Sequence, residues 1–150
     1  MAGWLRHAPV PDRSGAPSRR AFEGTWSFFP HLRLFEKRFC RPKDGSARLF
    51  GYNESPFLTV IGPGSFVGVS TAPNPAWAER GAVVIDYFQV PDGTVATGWP
   101  PVVPNNKGLQ RFAYSKTRDC TRKVSAHVSI GAAYEVEKSL DHYFILVRER

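Results

Sequence analysis

The chain has 150 residues, 42% of them hydrophobic and 22% charged, with a formal net charge of +7. That length leaves room for one core and a tail, and the composition is that of a globular protein, which excludes a disordered chain. The longest apolar runs, residues 81–87 and 143–147, fall far short of the roughly 20 residues a membrane-spanning helix needs.

Residues 1–21 read as an extended tail. Gly3, Pro9, Pro11, Gly15 and Pro17 forbid a long amphipathic helix, and Arg6, Arg13, Arg19 and Arg20 carry most of the charge. This arginine-rich stretch is only faintly like an organelle transit peptide, and no secretory apolar segment is present. The expectation is a soluble intracellular protein, with an organelle as the narrower option.

Residues 22–150 read as a single β domain. Lys43-Asp44-Gly45, Gly62-Pro63-Gly64 and Pro91-Asp92-Gly93 separate segments rich in β-branched and aromatic residues, as hairpin turns do. Strands are expected at 25–29, 47–50, 57–61, 66–70, 94–99, 109–114 and 142–148. Residues 82–90 are apolar on both faces except Asp86 and Gln89, which marks a central strand. Residues 123–130 alternate, with Val124, Ala126, Val128 and Ile130 on one face and Lys123, Ser125, His127 and Ser129 on the other. Residues 31–41 fit a strand better than a helix, although Pro30 and the spacing of Leu32, Phe35 and Phe39 leave the helix open. The proline-rich runs 72–81 and 100–108 are loops. Many short strands at close spacing predict an all-β fold, a small antiparallel barrel with one or two short helices at most.

Candidate sites are few. Asp86, between Ile85 and Tyr87, is the best lone candidate for a buried acid, either an active group or a carboxylate satisfied by a neighbouring Arg or Tyr. His127 on its polar strand face is the weaker catalytic candidate, and His142 joins it as a residue that convergence in space would bring into play. No metal-binding, phosphate-loop or hydrolase motif is present, and nothing points to a cofactor or metal. Cys40 and Cys120, eighty positions apart, fit neither a disulfide framework nor a zinc cluster, which favours a reducing compartment; spacing does not decide whether they pair. Lys107, Arg111, Lys116, Arg118, Arg122 and Lys123, with Phe112 and Tyr114 between them, read as a solvated hairpin or as a polyanion contact like that of single-strand binders. With Arg6, Arg13, Arg19 and Arg20, residues Lys116, Arg118, Arg122 and Lys123 are the partner contacts expected.

The opening Phe22-Glu23-Gly24-Thr25-Trp26 and the closing Tyr143-Phe144-Ile145-Leu146-Val147-Arg148 resemble the ends of a lipocalin-like barrel. The run Ser139-Leu140-Asp141-His142 followed by the same closing segment is similar to the end of plastid-lipid-associated fibrillin domains. The resemblance implies a barrel floor in which Trp26 is the plug and Arg148 stacks on its indole, a contact worth about 0.5–2 kcal/mol. No second lipocalin motif follows in the middle of the chain.

The function expected first is non-catalytic binding of a small apolar ligand, lipid or pigment-like, lined by Tyr87, Phe88, Trp99, Phe112 and Tyr114. Two others stand beside it: an accessory structural subunit of a large protein or ribonucleoprotein assembly held by its basic tail and loops, and a small barrel isomerase or cyclase using a buried acid. Nucleic acid is the less favoured partner.

Overall fold

The computed structural model describes residues 18–23 and 34–148, with side chains from Phe35 onward. Eight antiparallel strands follow the order of the chain: β1 Ser18–Glu23, β2 Leu34–Cys40, β3 Leu49–Glu54, β4 Phe66–Ser70, β5 Val83–Asp86, β6 Thr117–Lys123, β7 Val128–Glu135 and β8 Lys138–Arg148. Each pairs with the next, and β1 also pairs with β8, so the sheet curls into a closed barrel. Among the described residues three short helices, against the one or two expected, sit in the connections: α1 Leu58–Ile61, α2 Pro75–Arg80 and α3 Gln110–Ala113. Among the described residues no helix is long and apolar enough to cross a membrane.

Side chains alternate between lumen and exterior, so one register fixes both faces. Lys37 lies opposite Asn53 and Phe39 opposite Gly51, all facing in, while Cys40 opposite Phe50 faces out. Gly51 and Gly131 are inward positions that hold the ring of the next strand. A Cβ at Gly51 would lie 2.1 Å from Phe66 Cε2, and one at Gly131 would lie 2.2 Å from Phe144 Cζ. Each glycine is the register partner of its phenylalanine, a device that seats an aromatic ring flat inside a curved sheet.

The exterior of β2–β4 is not solvated. The long β5–β6 connection, residues 87–116, lays Val95, Ala96 and Trp99 on Cys40, Phe50 and Val67 to form a second apolar core outside the barrel. Asn105 pins this connection by donating to the carbonyls of Ser65, at 2.6 Å, and Tyr87, at 2.9 Å. Because the strands alternate in direction, the β3–β4, β5–β6 and β7–β8 connections gather at one end, and α1 and α3 lie there.

Several expectations are corrected. Residues 57–61 form a helical turn, not a strand, closed by Ile61 N–H donating to the Phe57 carbonyl at 2.8 Å. Residues 109–114 likewise close a turn through Tyr114 N–H and the Gln110 carbonyl, 2.8 Å apart. Residues 94–99 pack on the outer core without joining a sheet. The alternation over 123–130 spans a turn between β6 and β7, because the Ser125 hydroxyl accepts from the backbone N–H groups of His127 and Val128, at 3.3 and 3.2 Å, and such side-chain bonds compete with strand pairing. The first strand begins at Ser18, inside the stretch expected to be tail, and residues 31–41 supply strand β2. The expected strand at 25–29 and Trp26 lie outside the described residues, so the barrel-floor contact with Arg148 does too.

Cys40 and Cys120 are free and buried. They sit on β2 and β6, four strands apart around the ring, and do not pair. Burial raises the thiol pKa of Cys40 and pushes that of Cys120 up to about 11, which keeps both in the unreactive thiol form at neutral pH.

Gly131→Ala is expected to lower the unfolding free energy by about 1–3 kcal/mol, because the new methyl displaces a packed ring. Urea denaturation measures this, and an unchanged midpoint would contradict the packing described.

Candidate functional site

Among the described residues, a polar cluster stands in an aromatic wall of the lumen. Lys37, on β2, is 1% exposed, an unusual burial for a lysine. Its ammonium donates to Asn53 Oδ1 at 3.0 Å, to Asp119 Oδ2 at 3.0 Å and to the Tyr87 hydroxyl. Asn53 comes from the neighbouring strand β3, whereas Asp119 comes from β6, on the far side of the ring. The long lysine side chain bridges those two walls.

Tyr87 follows the last residue of β5 and completes the set. Its hydroxyl accepts from Asn53 Nδ2 at 3.0 Å and lies 3.3 Å from Asp119 Oδ2, to which it donates. Asn53 Nδ2 also donates to the Gly64 carbonyl at 3.2 Å. Every proton of the ammonium therefore has an acceptor, as a buried charge requires. Burial, and after it the nearby Asp119 carboxylate, raises the Tyr87 phenol well above its ordinary pKa, so Tyr87 stays neutral beside the Lys37–Asp119 ion pair.

Three rings flank the ammonium, with centroids 5.0 Å away for Phe35 and 5.3 Å for Phe66 and Phe144, while Tyr87 meets it edge-on through its hydroxyl. Each of the three flanking contacts adds attraction of about 0.5–2 kcal/mol. Phe66 and Phe144 are the rings seated on Gly51 and Gly131, so those two glycines set the walls of the cage. Tyr114 stacks on Tyr87 with centroids 5.3 Å apart and fixes that ring.

The cluster opens on a cavity of about 260 Å³. Phe35 and Phe144 line its depth, and Phe57, Ile61, Ala113 and Tyr114 line the end carrying α1 and α3. Strand β8 bulges opposite Ala133 and Tyr134, with Asp141 in the left-handed region at φ 53°. The bulge brings Leu140 and the half-buried His142 to the cavity, the kind of re-aiming for which bulges recur beside binding sites. A wider concavity of about 600 Å³ lies outside the barrel between α2 and strands β6–β8, but no comparable group of buried hydrogen-bonded side chains converges on it.

Of the residues expected to bind ligand, Tyr87 and Tyr114 line the cavity and three do not. Phe88 is exposed beneath the Arg118 guanidinium, 4.2 Å from its ring centroid. Trp99 packs edge-on against Tyr52 outside the barrel, and Phe112 is 76% exposed. Asp86 is buried but on the outer face, where its carboxylate lies 3.2 Å from Arg118 and accepts from Gln89 Nε2 at 2.8 Å. His127 is exposed in the β6–β7 turn, so Asp86 and His127 share no pocket.

The expected polyanion contacts are dispersed. Arg118 is held by Asp86 and, at 2.7 Å, by Glu137, and stacks on Trp77. Arg122 donates to the Glu79 carbonyl at 2.8 Å; Lys107, Arg111, Lys116 and Lys123 are exposed. Arg6 and Arg13 lie outside the described residues, and Arg19 and Arg20 are described by backbone alone, as β1 partners of Arg148 and Val147. Among the described residues no group of three or more His, Cys, Asp or Glu side chains could hold a metal ion.

Sequence reasoning missed Lys37, Asn53 and Asp119. Lys37 had one readable signal, its position between Phe35 and Phe39 at strand spacing. Asp119, inside the polar run Thr117–Lys123, had none. No protein-family model, curated protein or solved structure matches the chain.

Lys37→Met or Asp119→Leu alone is expected to cost about 3–5 kcal/mol by stranding its partner in the lumen, and the double replacement to recover most of that loss. Urea unfolding of the four proteins reads the coupling, and strictly additive losses would show the two side chains to be independent.

Proposed function

We propose that the barrel is a binding module for a compact ligand with an apolar body and an uncharged polar head, such as a carbonyl or hydroxyl. The observation that carries this reading is the cluster of Lys37, Asp119, Tyr87 and Asn53, hydrogen-bonded to one another at the wall of an aromatic-lined cavity. Ligand sites typically combine an apolar wall with a few convergent polar groups. Because Lys37 and Asp119 are already paired with each other, a charged head would have to displace one of them from its partner, which is costly. The volume of about 260 Å³ lies below the roughly 300–1,000 Å³ usual for drug-sized ligands, which favours a molecule smaller than a long-chain lipid or a tetrapyrrole pigment. The meander order supports a lipocalin-like reading of the barrel, and that likeness concerns fold rather than ligand.

A second reading, an accessory subunit, is favoured by a different observation. Ile130, Tyr143, Ile145 and Val147 are exposed on the outer face of β7 and β8, where Ile130 and Ile145 are register partners. An apolar strip of this kind suits contact with another protein.

Native mass spectrometry of the protein from its own source, followed by denaturation, separates the two. Binding is expected to show as a small extra mass released on denaturation and absent from Ala113→Trp, a change at the mouth of the cavity. Co-purification with a defined protein partner and an empty barrel would replace the first reading with the second.

A further inference from the structure

The placement of Lys37 points beyond reversible binding. We propose that Lys37 is a covalent attachment site that holds aldehyde ligands as a protonated imine. This rests on the binding reading above and names the ligand's reactive group.

Three features carry it. The first is position: Lys37 lines the cavity that Phe35, Tyr87 and Phe144 also line, and it is the only amine among the cavity-lining side chains. The second is charge. Condensation converts an ammonium and an aldehyde into a protonated imine and water, so the single positive charge facing Asp119 at 3.0 Å persists. A reaction that neutralised the nitrogen would leave the Asp119 carboxylate without its ion-pair partner; this one does not. The third is the proton path. Asp119 Oδ2 lies within hydrogen-bond distance of both the ammonium and the Tyr87 hydroxyl, and general acid–base groups need such contact with the proton they move.

The steps balance as follows. The Asp119 carboxylate takes one proton from the ammonium, leaving a neutral amine and a neutral acid. The nitrogen lone pair attacks the carbonyl carbon, the C=O π pair moves to oxygen, and a proton passes from nitrogen to that oxygen to give a carbinolamine. The acid then protonates the carbinolamine hydroxyl, the C–O bond breaks, water leaves and C=N forms with its proton on nitrogen. Asp119 ends as a carboxylate beside the iminium. The aromatic rings that surround the ammonium surround the iminium equally.

The test uses the full-length protein, phenylacetaldehyde as probe and cyanoborohydride as the trap, with intact-mass measurement and peptide mapping. The expected product is one adduct with the mass of the aldehyde less one oxygen, on the peptide containing Lys37. It is expected to form before Lys43, Lys107, Lys116, Lys123 or Lys138 react, all of which are exposed, and to be slowed by 2-phenylethanol, which has the same body and cannot condense. Labelling of the exposed lysines with Lys37 unmodified, or Lys37 labelling no faster than theirs, overturns the proposal. If 2-phenylethanol shifts the NMR signals of the cavity residues while Lys37 stays unlabelled, attachment fails and the binding reading stands; if neither occurs, both fail.

Discussion

An ammonium group in the middle of a β-barrel must be stabilised from every direction, and the lumen of this protein is arranged around that demand. Removing a charge from water costs several kcal/mol even after relaxation. Here Asp119 supplies the counter-charge, Asn53 and Tyr87 take the remaining protons, and the rings of Phe35, Phe66 and Phe144 pack around the ammonium. The backbone takes part as well. Phe66 and Phe144 reach their positions because Gly51 and Gly131 leave no Cβ beneath them. Register, glycine placement and the chemistry of the lumen are thus one constraint.

Such an arrangement is a poor way to gain stability. Well-packed apolar residues in place of a buried ion pair are often neutral or stabilising, and the surrounding rings would accommodate them. The cost is easier to understand where the charged pair has chemistry to perform, and the adjoining cavity gives that chemistry a place. Stability is supplied elsewhere. The 87–116 connection covers the outside of β2–β4 with its own apolar cluster, and α2 is tied to the β7–β8 turn by Glu137, which accepts from Arg80 at 2.6 Å and Arg118 at 2.7 Å. These ties let the lumen keep a void and a charge without relying on interior packing alone.

How much of this was legible in the sequence differed by element. Strand β4 at Phe66–Ser70 was read with its bounds, because valines and a phenylalanine lie between a Gly-Pro-Gly turn and a proline-rich loop. Strand β6, Thr-Arg-Asp-Cys-Thr-Arg-Lys, was not read. Its inward residues are polar because they line a polar part of the lumen, so the alternation that marks an ordinary half-buried strand is missing. Residues 57–61 and 109–114 erred the other way: they are β-prone by composition, yet they bridge strands at the cavity end and fold into helical turns, tertiary position overriding propensity. The candidate site was half legible. Tyr87 and Tyr114 stand out as aromatics, whereas Asp86, the buried acid the sequence points to, lies one residue from the lumen face and therefore on the outside. The pair that matters, Lys37 and Asp119, is separated by 82 positions and four strands, and only closure of the ring brings them together.

The central claim is that Lys37 is a charged, water-excluded ammonium held by Asp119 and ringed by aromatics. Its most direct test is ¹⁵N–¹H spectroscopy of the lysine side chains at neutral pH. One ammonium signal is expected to be protected from exchange with water, to show proximity to the ring protons of Phe35, Phe66 and Phe144, and to disappear in Lys37→Met. Six lysine ammoniums all exchanging at the rate of exposed groups would contradict the account.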